Sequence, residues 1–146
     1  MSNPSNERFP DHRYIHPSPG VGAVGQYQLS GIPFATASVG VQNVLDGEGS
    51  TEISFPYVTK FVTVVNEHSG ASAKLRVGFS SAGTSGSLTD NYFLLDNGES
   101  YTGEFRVSKI FLAGHESNTT ASVIAGMTGI PSAKLVNNWS GTSGVG

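Results

Sequence analysis

Apolar and polar residues alternate in short runs along much of the chain, and the clearest run is AKLRVGFS at residues 73–80. Successive side chains of a β-strand point to opposite faces of a sheet. The run therefore predicts a strand that buries Leu75, Val77 and Phe79 together and leaves Arg76 on an exposed, polar face.

Eight such runs follow one another from Phe34 onward, separated by clusters of turn-forming residues, and no window has a helical period. We place the strands near Phe34–Val41, Thr51–Phe55, Lys60–Asn66, Ala73–Ser80, Tyr92–Leu95, Ser100–Val107, Lys109–Gly114 and Ala121–Met127. The predicted fold class is all-β, a single eight-stranded antiparallel sandwich with almost no helix. Eight strands is also the strand number of a jelly roll.

Two stretches predict local strand pairing. Residues 61–80 are typical of two antiparallel strands around a polar link at residues 66–72. Asn97-Gly98 is the strongest signal for a tight hairpin, because the favoured two-residue turn needs positive φ at both central residues. Both stretches therefore predict neighbouring strands.

A change of parity separates two apolar pairs late in the chain. Phe105 and Val107 share one parity, whereas Ile110 and Leu112 share the other. Either a bulge lies between the pairs, or one strand ends there and another begins, and we favour the second interpretation. Phe111 would then face away from Ile110 and Leu112, toward a neighbouring subunit.

The two ends of the chain differ from its centre in composition. We divide the chain into an extended N-terminal arm at residues 1–31, a β-sandwich at residues 32–129 and a short C-terminal tail at residues 130–146. Four prolines interrupt the arm. Because proline has no backbone N–H to donate, the arm is not expected to form a central strand.

Aromatic side chains are spread along both ends. The arm carries Phe9, Tyr14 and Tyr27, and the tail carries the only tryptophan, Trp139. Aromatic side chains supply much of the binding energy at protein contacts. We predict that the arm docks on a neighbouring subunit, the alternative being a disordered terminus, and that Trp139 packs on the domain or on a partner. Together with Phe111, these four residues are the candidate subunit contacts.

Composition excludes several classes of function. The chain has 146 residues, which suits one domain, and its net charge of -3 does not suit direct binding of nucleic acid. The absence of cysteine excludes disulfides, thiolate zinc sites and cysteine nucleophiles. We find no signal peptide and no membrane span, and expect a protein made in a cytosol-like compartment.

No motif predicts a cofactor, a metal site or catalysis. GVGAVG at residues 20–25 matches the dinucleotide-binding fingerprint, but the strand and helix that must flank it are not predicted. His12 and His16 have the i, i+4 spacing of helical metal ligands, but Pro17 opposes a helix there. We therefore predict that the protein is not an enzyme and uses no cofactor or metal.

Five runs carry a resemblance to known proteins. They are FVTVVN at 61–66, LRVGFS at 75–80, NYF at 91–93, FRV at 105–107 and AGMTGIP at 125–131. The chain resembles the single jelly-roll vertex, or penton, capsid proteins of large icosahedral double-stranded DNA viruses of the algal-virus and giant-virus group. The resemblance covers about the last two thirds of the chain.

The resemblance implies a jelly roll and a homopentamer that closes an icosahedral vertex. It also implies contact with major and minor capsid proteins, assembly in the host-cell cytoplasm and a final place in the capsid of the virion. Two alternatives stay open, a decoration or cement protein of a capsid and the glycan- or receptor-binding head of a spike.

Overall fold

The computed structural model describes residues 19–46, 49–86 and 90–135. The candidate contacts Phe9, Tyr14 and Trp139 lie outside these ranges, as do His12 and His16. Within the described ranges the secondary structure is mostly β-strand, as predicted.

Eight strands form two four-stranded antiparallel sheets that face one another. The strands are β1 (Ile32–Val41), β2 (Thr51–Ser54), β3 (Tyr57–Asn66), β4 (Leu75–Gly78), β5 (Tyr92–Leu95), β6 (Ser100–Gly103), β7 (Lys109–Gly114) and β8 (Thr119–Pro131). The first sheet has the order β1-β8-β3-β6, and the second has the order β2-β7-β4-β5. The predicted all-β sandwich is thus confirmed, and each strand overlaps its predicted position.

The main core lies between the two sheets, because the inward parity of each strand is apolar. β4 contributes Leu75 and Val77, and β7 contributes Ile110 and Leu112, all at most 2% exposed. Phe79 packs against this core while half-buried. Burying one side chain of this size contributes roughly 1.5–3 kcal/mol. The predicted burial of Leu75 and Val77 is confirmed.

Neither of the two predicted local pairings is present. β3 and β4 lie in different sheets, and so do β5 and β6. Asn97 and Gly98 do form a turn, in which Gly98 has a φ of 78° and the Glu99 N–H donates to the Asp96 carbonyl at 2.9 Å. This turn carries the chain from one sheet to the other, so the predicted hairpin is wrong.

Asn66 joins the elements at this end of the sandwich. Its buried Nδ2 donates to the carbonyls of Ala73 at 2.8 Å and Leu95 at 3.0 Å. Its Oδ1 accepts from the His68 N–H and the Thr119 hydroxyl, both at 3.0 Å. These four bonds use the hydrogen-bonding capacity of the amide, so its burial leaves neither polar atom unsatisfied.

Residues 19–31 fold onto the sandwich. They include the short helix α1 (Val24–Gln28). A second buried cluster, separate from the main core, consists of Val58, Ile130 and Leu135. Val21 and Tyr27 pack against this cluster, and the Tyr27 hydroxyl donates to the Val21 carbonyl at 2.7 Å. The described part of the predicted arm is therefore attached to its own domain.

A second short helix, α2 (Ser81–Ser85), lies against β4 and β7 where we predicted only a loop. Ser80 caps it by accepting from the Gly83 N–H at 3.1 Å, and Gly86 ends it in the left-handed conformation. Two 3₁₀ helices span Val44–Asp46 and Ser132–Lys134.

The change of parity late in the chain marks a strand end, as favoured. β6 ends at Gly103, and β7 begins at Lys109. Because Ile110 and Leu112 face the core, alternation directs Phe111 to the outer side of the second sheet. Phe111 is nevertheless only 8% exposed, and α2 lies against the same strand.

Candidate functional site

Arg76 is buried on the outer face of the second sheet, where we predicted an exposed side chain. Only 9% of it is exposed. Its Nη1 donates to the carbonyls of Thr84 at 3.2 Å and Ser85 at 3.0 Å, at the end of α2. The guanidinium also lies 4.2 Å from the centroid of the Tyr92 ring. The prediction is wrong because α2 folds back over β4 and presents carbonyls that need donors.

A polar cleft of about 290 Å³ opens beside this cluster. Its lining consists of Ser72, Lys74, His115, Glu116 and Ser117. His115 Nδ1 accepts from Arg76 Nε at 3.0 Å, so the neutral ring carries its hydrogen on Nε2, which lies 3.7 Å from Glu116 Oε2. Hydroxyl, carboxylate and ammonium groups converge here, and such groups bind polar ligands.

A second cleft, of about 440 Å³, lies where residues 19–31 meet the end of β6. Its lining consists of Tyr27, Lys60, Phe61, Glu104 and Arg106. Lys60 Nζ donates to the Leu29 carbonyl, so one of the two cations is used to hold the N-terminal segment. This cleft therefore forms part of the attachment of that segment.

The described residues contain no cluster of three histidine, aspartate or glutamate side chains that could hold a metal ion. Among the same residues, no helix combines the length and the apolar character needed to cross a membrane. The glycine run at 20–25 leads into α1, a helix of five residues, instead of the long helix that a dinucleotide site requires.

Four aromatic rings form a row along one side of the sandwich, where β5 and β6 are the edge strands of the two sheets. Phe79 and Phe93 each meet the next ring edge-on, with centroids 5.1 Å from Phe105 and Tyr101 respectively. Phe105 and Tyr101 stack at 6.3 Å and complete the row. Tyr101 is 46% exposed although it pairs with the core residue Val64. We call β5, β6 and this row the open flank.

The edge strands of the open flank are only four residues long, but they lack charge, proline and bulges as further protection against pairing with another chain. Exposed edges are ordinarily blunted by charged side chains, prolines or bulges. β5 reads YFLL and β6 reads SYTG, without charge or proline. Within the described residues, β5 pairs only with β4 and β6 only with β3, and neither ladder has a bulge. Leu94 on β5 is 38% exposed.

The opposite side of the sandwich, formed by β1 and β2, has all three protective devices. β1 contains Pro33 and a register shift between Thr36 and Val39, and Ser38 has a φ of 56°. β2 carries Glu52, whose carboxylate accepts from a neighbouring hydroxyl at 2.6 Å. We call this side the protected flank. The contrast indicates that the open flank is the side available for contact.

The structure describes two of the five candidate contact residues. Tyr27 is half-buried against its own chain and lines the second cleft. Phe111 is buried on the outer side of the second sheet. These two residues do not lie together and do not lie on the open flank, so their contact with a neighbour stays a prediction.

Leu94 and Tyr101 were not among the residues predicted to matter for function, and Arg76 was predicted only to be exposed. The open flank could have been suspected from the missing charge and proline in YFLL and SYTG. The helix α2, which covers Arg76, has a weaker sequence signal. It consists of a capping residue, Ser80, and a glycine six positions later, Gly86, that can end a short helix.

Comparison of the sequence with protein-family models and with curated proteins finds no match. Function is therefore inferred from the geometry described above and from the resemblance of the strand residues.

Proposed function

We propose that the chain is a structural protein of a viral capsid, and that it closes the icosahedral vertices as a homopentamer. In this role it contacts neighbouring major and minor capsid proteins, carries out no catalysis, assembles in the host-cell cytoplasm and stays in the virion.

The observation that carries the proposal is the order of the strands. β1 pairs with β8, β2 with β7, β3 with β6 and β4 with β5. These four pairs are the successive rungs of one long hairpin whose tip is β4–β5. The pairs β3–β8 and β4–β7 roll this hairpin into two sheets. We propose on this basis that the sandwich is a jelly roll, an architecture typical of viral capsid and lectin domains.

Two surfaces of the sandwich support an oligomer. A closed ring of identical subunits needs lateral surfaces that can be desolvated at low cost. The open flank offers uncharged edge strands and partly exposed rings. The four strands of the first sheet contain Lys60 as their only charged residue, so the outer face of that sheet is also suited to contact.

Sedimentation equilibrium on the full chain tests the proposal. A pentamer has a mass of about 76 kDa, five times the 15.2 kDa of the chain, and should appear as five-fold rings in electron micrographs. A trimer would indicate that the chain is a decoration protein of the capsid and not its vertex protein. A chain that stays monomeric at high concentration would overturn the capsid proposal.

The cleft beside His115 favours a second candidate, a glycan-binding sandwich. Its size is at the lower end of ordinary ligand pockets, and its lining is polar. Titration with neutral and acidic oligosaccharides, followed by amide NMR shifts, tests this function. Binding should be lost in Lys74→Ala and kept in Arg106→Ala, which alters the second cleft instead. Absence of shifts at Ser72 and Ser117 would exclude the candidate.

A further inference from the structure

We propose that Asn97-Gly98 is a modification site, at which the chain deamidates spontaneously when the turn between β5 and β6 opens. The folded turn keeps the same site inactive. Asn97-Gly98 is the only Asn-Gly pair in the chain. This chemistry goes beyond the proposed function, because it concerns one turn of the sandwich and not the partners of the protein.

The reaction needs only water and two neighbouring groups of the chain. The backbone nitrogen of Gly98 attacks the side-chain carbon Cγ of Asn97. A bond forms between these two atoms, the bond from Cγ to Nδ2 breaks, and Nδ2 leaves as ammonia with the proton of the Gly98 nitrogen. Water then opens the cyclic imide at one of its two carbonyl carbons, which leaves aspartate or isoaspartate at position 97. Glycine favours the attack because it has no side chain to hinder it, and asparagine is a thermally labile residue.

Hydrogen bonds hold both reacting groups in place in the folded turn. The Gly98 N–H donates to the Asn66 carbonyl at 2.9 Å, so the attacking nitrogen keeps its proton. On Asn97, Oδ1 accepts from the Ala73 N–H at 2.7 Å, and Nδ2 donates to the Ala71 carbonyl at 3.1 Å. A side chain bonded at both polar atoms turns its Cγ toward the nitrogen only by losing these bonds. The folded turn therefore suppresses the reaction.

The partners of the turn belong to one short segment, so a single local opening releases both reacting groups. Asn66 is the last residue of β3, and Ala71 and Ala73 lie in the link that follows it. Residues 69–72 of this link are exposed, and Gly70 within it has a φ of 97°. Exposed segments with few buried contacts open far more often than the whole domain unfolds. The site thus becomes reactive without global unfolding.

The products do not fit the folded turn. Aspartate at position 97 would set a carboxylate oxygen against the Ala71 carbonyl, where the amide now donates, and two acceptors repel one another. The turn already contains Asp96 and Glu99, so a third negative charge adds repulsion between like charges. Isoaspartate would lengthen the backbone inside the turn that the bond from the Glu99 N–H to the Asp96 carbonyl closes. An opening that reacts therefore leaves a permanently weakened junction between the two sheets.

Hydrogen exchange and deamidation both begin with loss of the proton on the Gly98 nitrogen, which permits a quantitative test. The full chain is kept at mildly alkaline pH, either folded or unfolded in urea. Peptide mass spectrometry follows aspartate and isoaspartate at position 97, and amide NMR measures how much the fold slows exchange of the Gly98 N–H. We expect the fold to slow deamidation roughly a hundredfold or more, and by the same factor as exchange to within about tenfold.

Two results of this measurement would overturn the proposal. A folded chain that deamidates as fast as the unfolded chain would show that the turn does not suppress the reaction. An unfolded chain without product at position 97 would show that the site is not reactive.

Asn97→Asp reproduces one product and tests its effect on the fold. The matched control is Asn91→Asp, which adds the same charge at an exposed asparagine just before β5. Asn97→Asp should lower the melting temperature by roughly 5 °C or prevent folding, whereas Asn91→Asp should leave it nearly unchanged. Equal melting temperatures of the two variants would refute the weakened junction.

Discussion

Both sheets bury an apolar inner face, but the outer face of the first sheet is partly exposed, whereas that of the second sheet is covered by α2. On the first sheet, Ala35, Ile124, Thr63 and Thr102 lie side by side in one row, and Ile124 is 47% exposed. On the second sheet, Arg76 and Phe111 are each at most 9% exposed, because α2 lies over β4 and β7. Alternation along a strand thus determines which side chains point outward. Whether those side chains are exposed to solvent depends on which other elements, such as α2, pack over them.

The largest difference between the two sheets should appear when one outer-face apolar side chain on each sheet is shortened and the free energy of unfolding is measured. Phe111→Ala should lower the free energy of unfolding by about 3 kcal/mol, since it empties a buried site. Ile124→Ala should change it by less than about 0.5 kcal/mol, because that side chain is half exposed. Urea unfolding of both variants measures the difference, and equal losses would contradict the covering of the second sheet.

Removing the charge of Arg76 should have the next largest effect. Arg76→Met keeps the length of the side chain but leaves the Thr84 and Ser85 carbonyls without their donor, at a loss of about 2 kcal/mol. Arg106→Met is the matched control, as Arg106 is exposed, and should stay within about 0.5 kcal/mol. Similar thermal denaturation of the two variants would show that Arg76 does not hold α2.

Replacing an outer-face glycine by alanine on each sheet gives a third comparison of how closely the two outer faces are covered. A Cβ at Gly78 would meet the Thr84 hydroxyl and, at 2.9 Å, the Asn91 carbonyl, which belongs to the backbone. The three atoms nearest to a Cβ at Gly126 all belong to the Phe61 side chain, whose ring can turn, and not to the backbone. Gly78→Ala should therefore cost about 1–2 kcal/mol and Gly126→Ala clearly less. A larger loss at Gly126 in urea unfolding would mean that the first sheet is the more tightly covered one.

The smallest effect is expected at the ion pair between Lys74 and Asp96. Its N–O distance is 3.7 Å, and both side chains are about half exposed. Lys74→Ala should change the free energy of unfolding by less than about 0.5 kcal/mol, with little dependence on salt. A loss as large as that of Arg76→Met would place Lys74 in the covered part of the second sheet.

The positions of the strands could be predicted from the sequence, but their partners could not. Period-two alternation is a local property, and it located all eight strands. Pairing depends on contacts between distant parts of the chain, so β3 joins β8 and β6 instead of β4, its neighbour in sequence. Asn97-Gly98 shows the limit, because of the two residues only Gly98 has a positive φ, so they form a turn of another type that carries the chain between the sheets.

The candidate surface was less predictable than the fold. Aromatic content pointed to Tyr27, yet that ring packs on Val58, Ile130 and Leu135, which lie far away in sequence. Exposure of Leu94 and Tyr101 follows from β5 and β6 being edges, and edges are defined only once the strand order is known. The predicted contact residues were chosen by residue type, whereas the exposure of Leu94 and Tyr101 depends on the strand order.

The central position of β8 has a consequence for how a cell makes this protein. β8 is the last strand in the part of the chain that the structure describes, yet it pairs with both β1 and β3 in the first sheet. Roughly eighty residues separate Val41 from Thr119, so at about 5–20 residues per second the ribosome needs several seconds to deliver this partner. Until then, β1 and β3 emerge with apolar faces uncovered. We expect the first sheet to close only after translation, and nascent chains that end before Thr119 to need a chaperone that holds extended apolar segments.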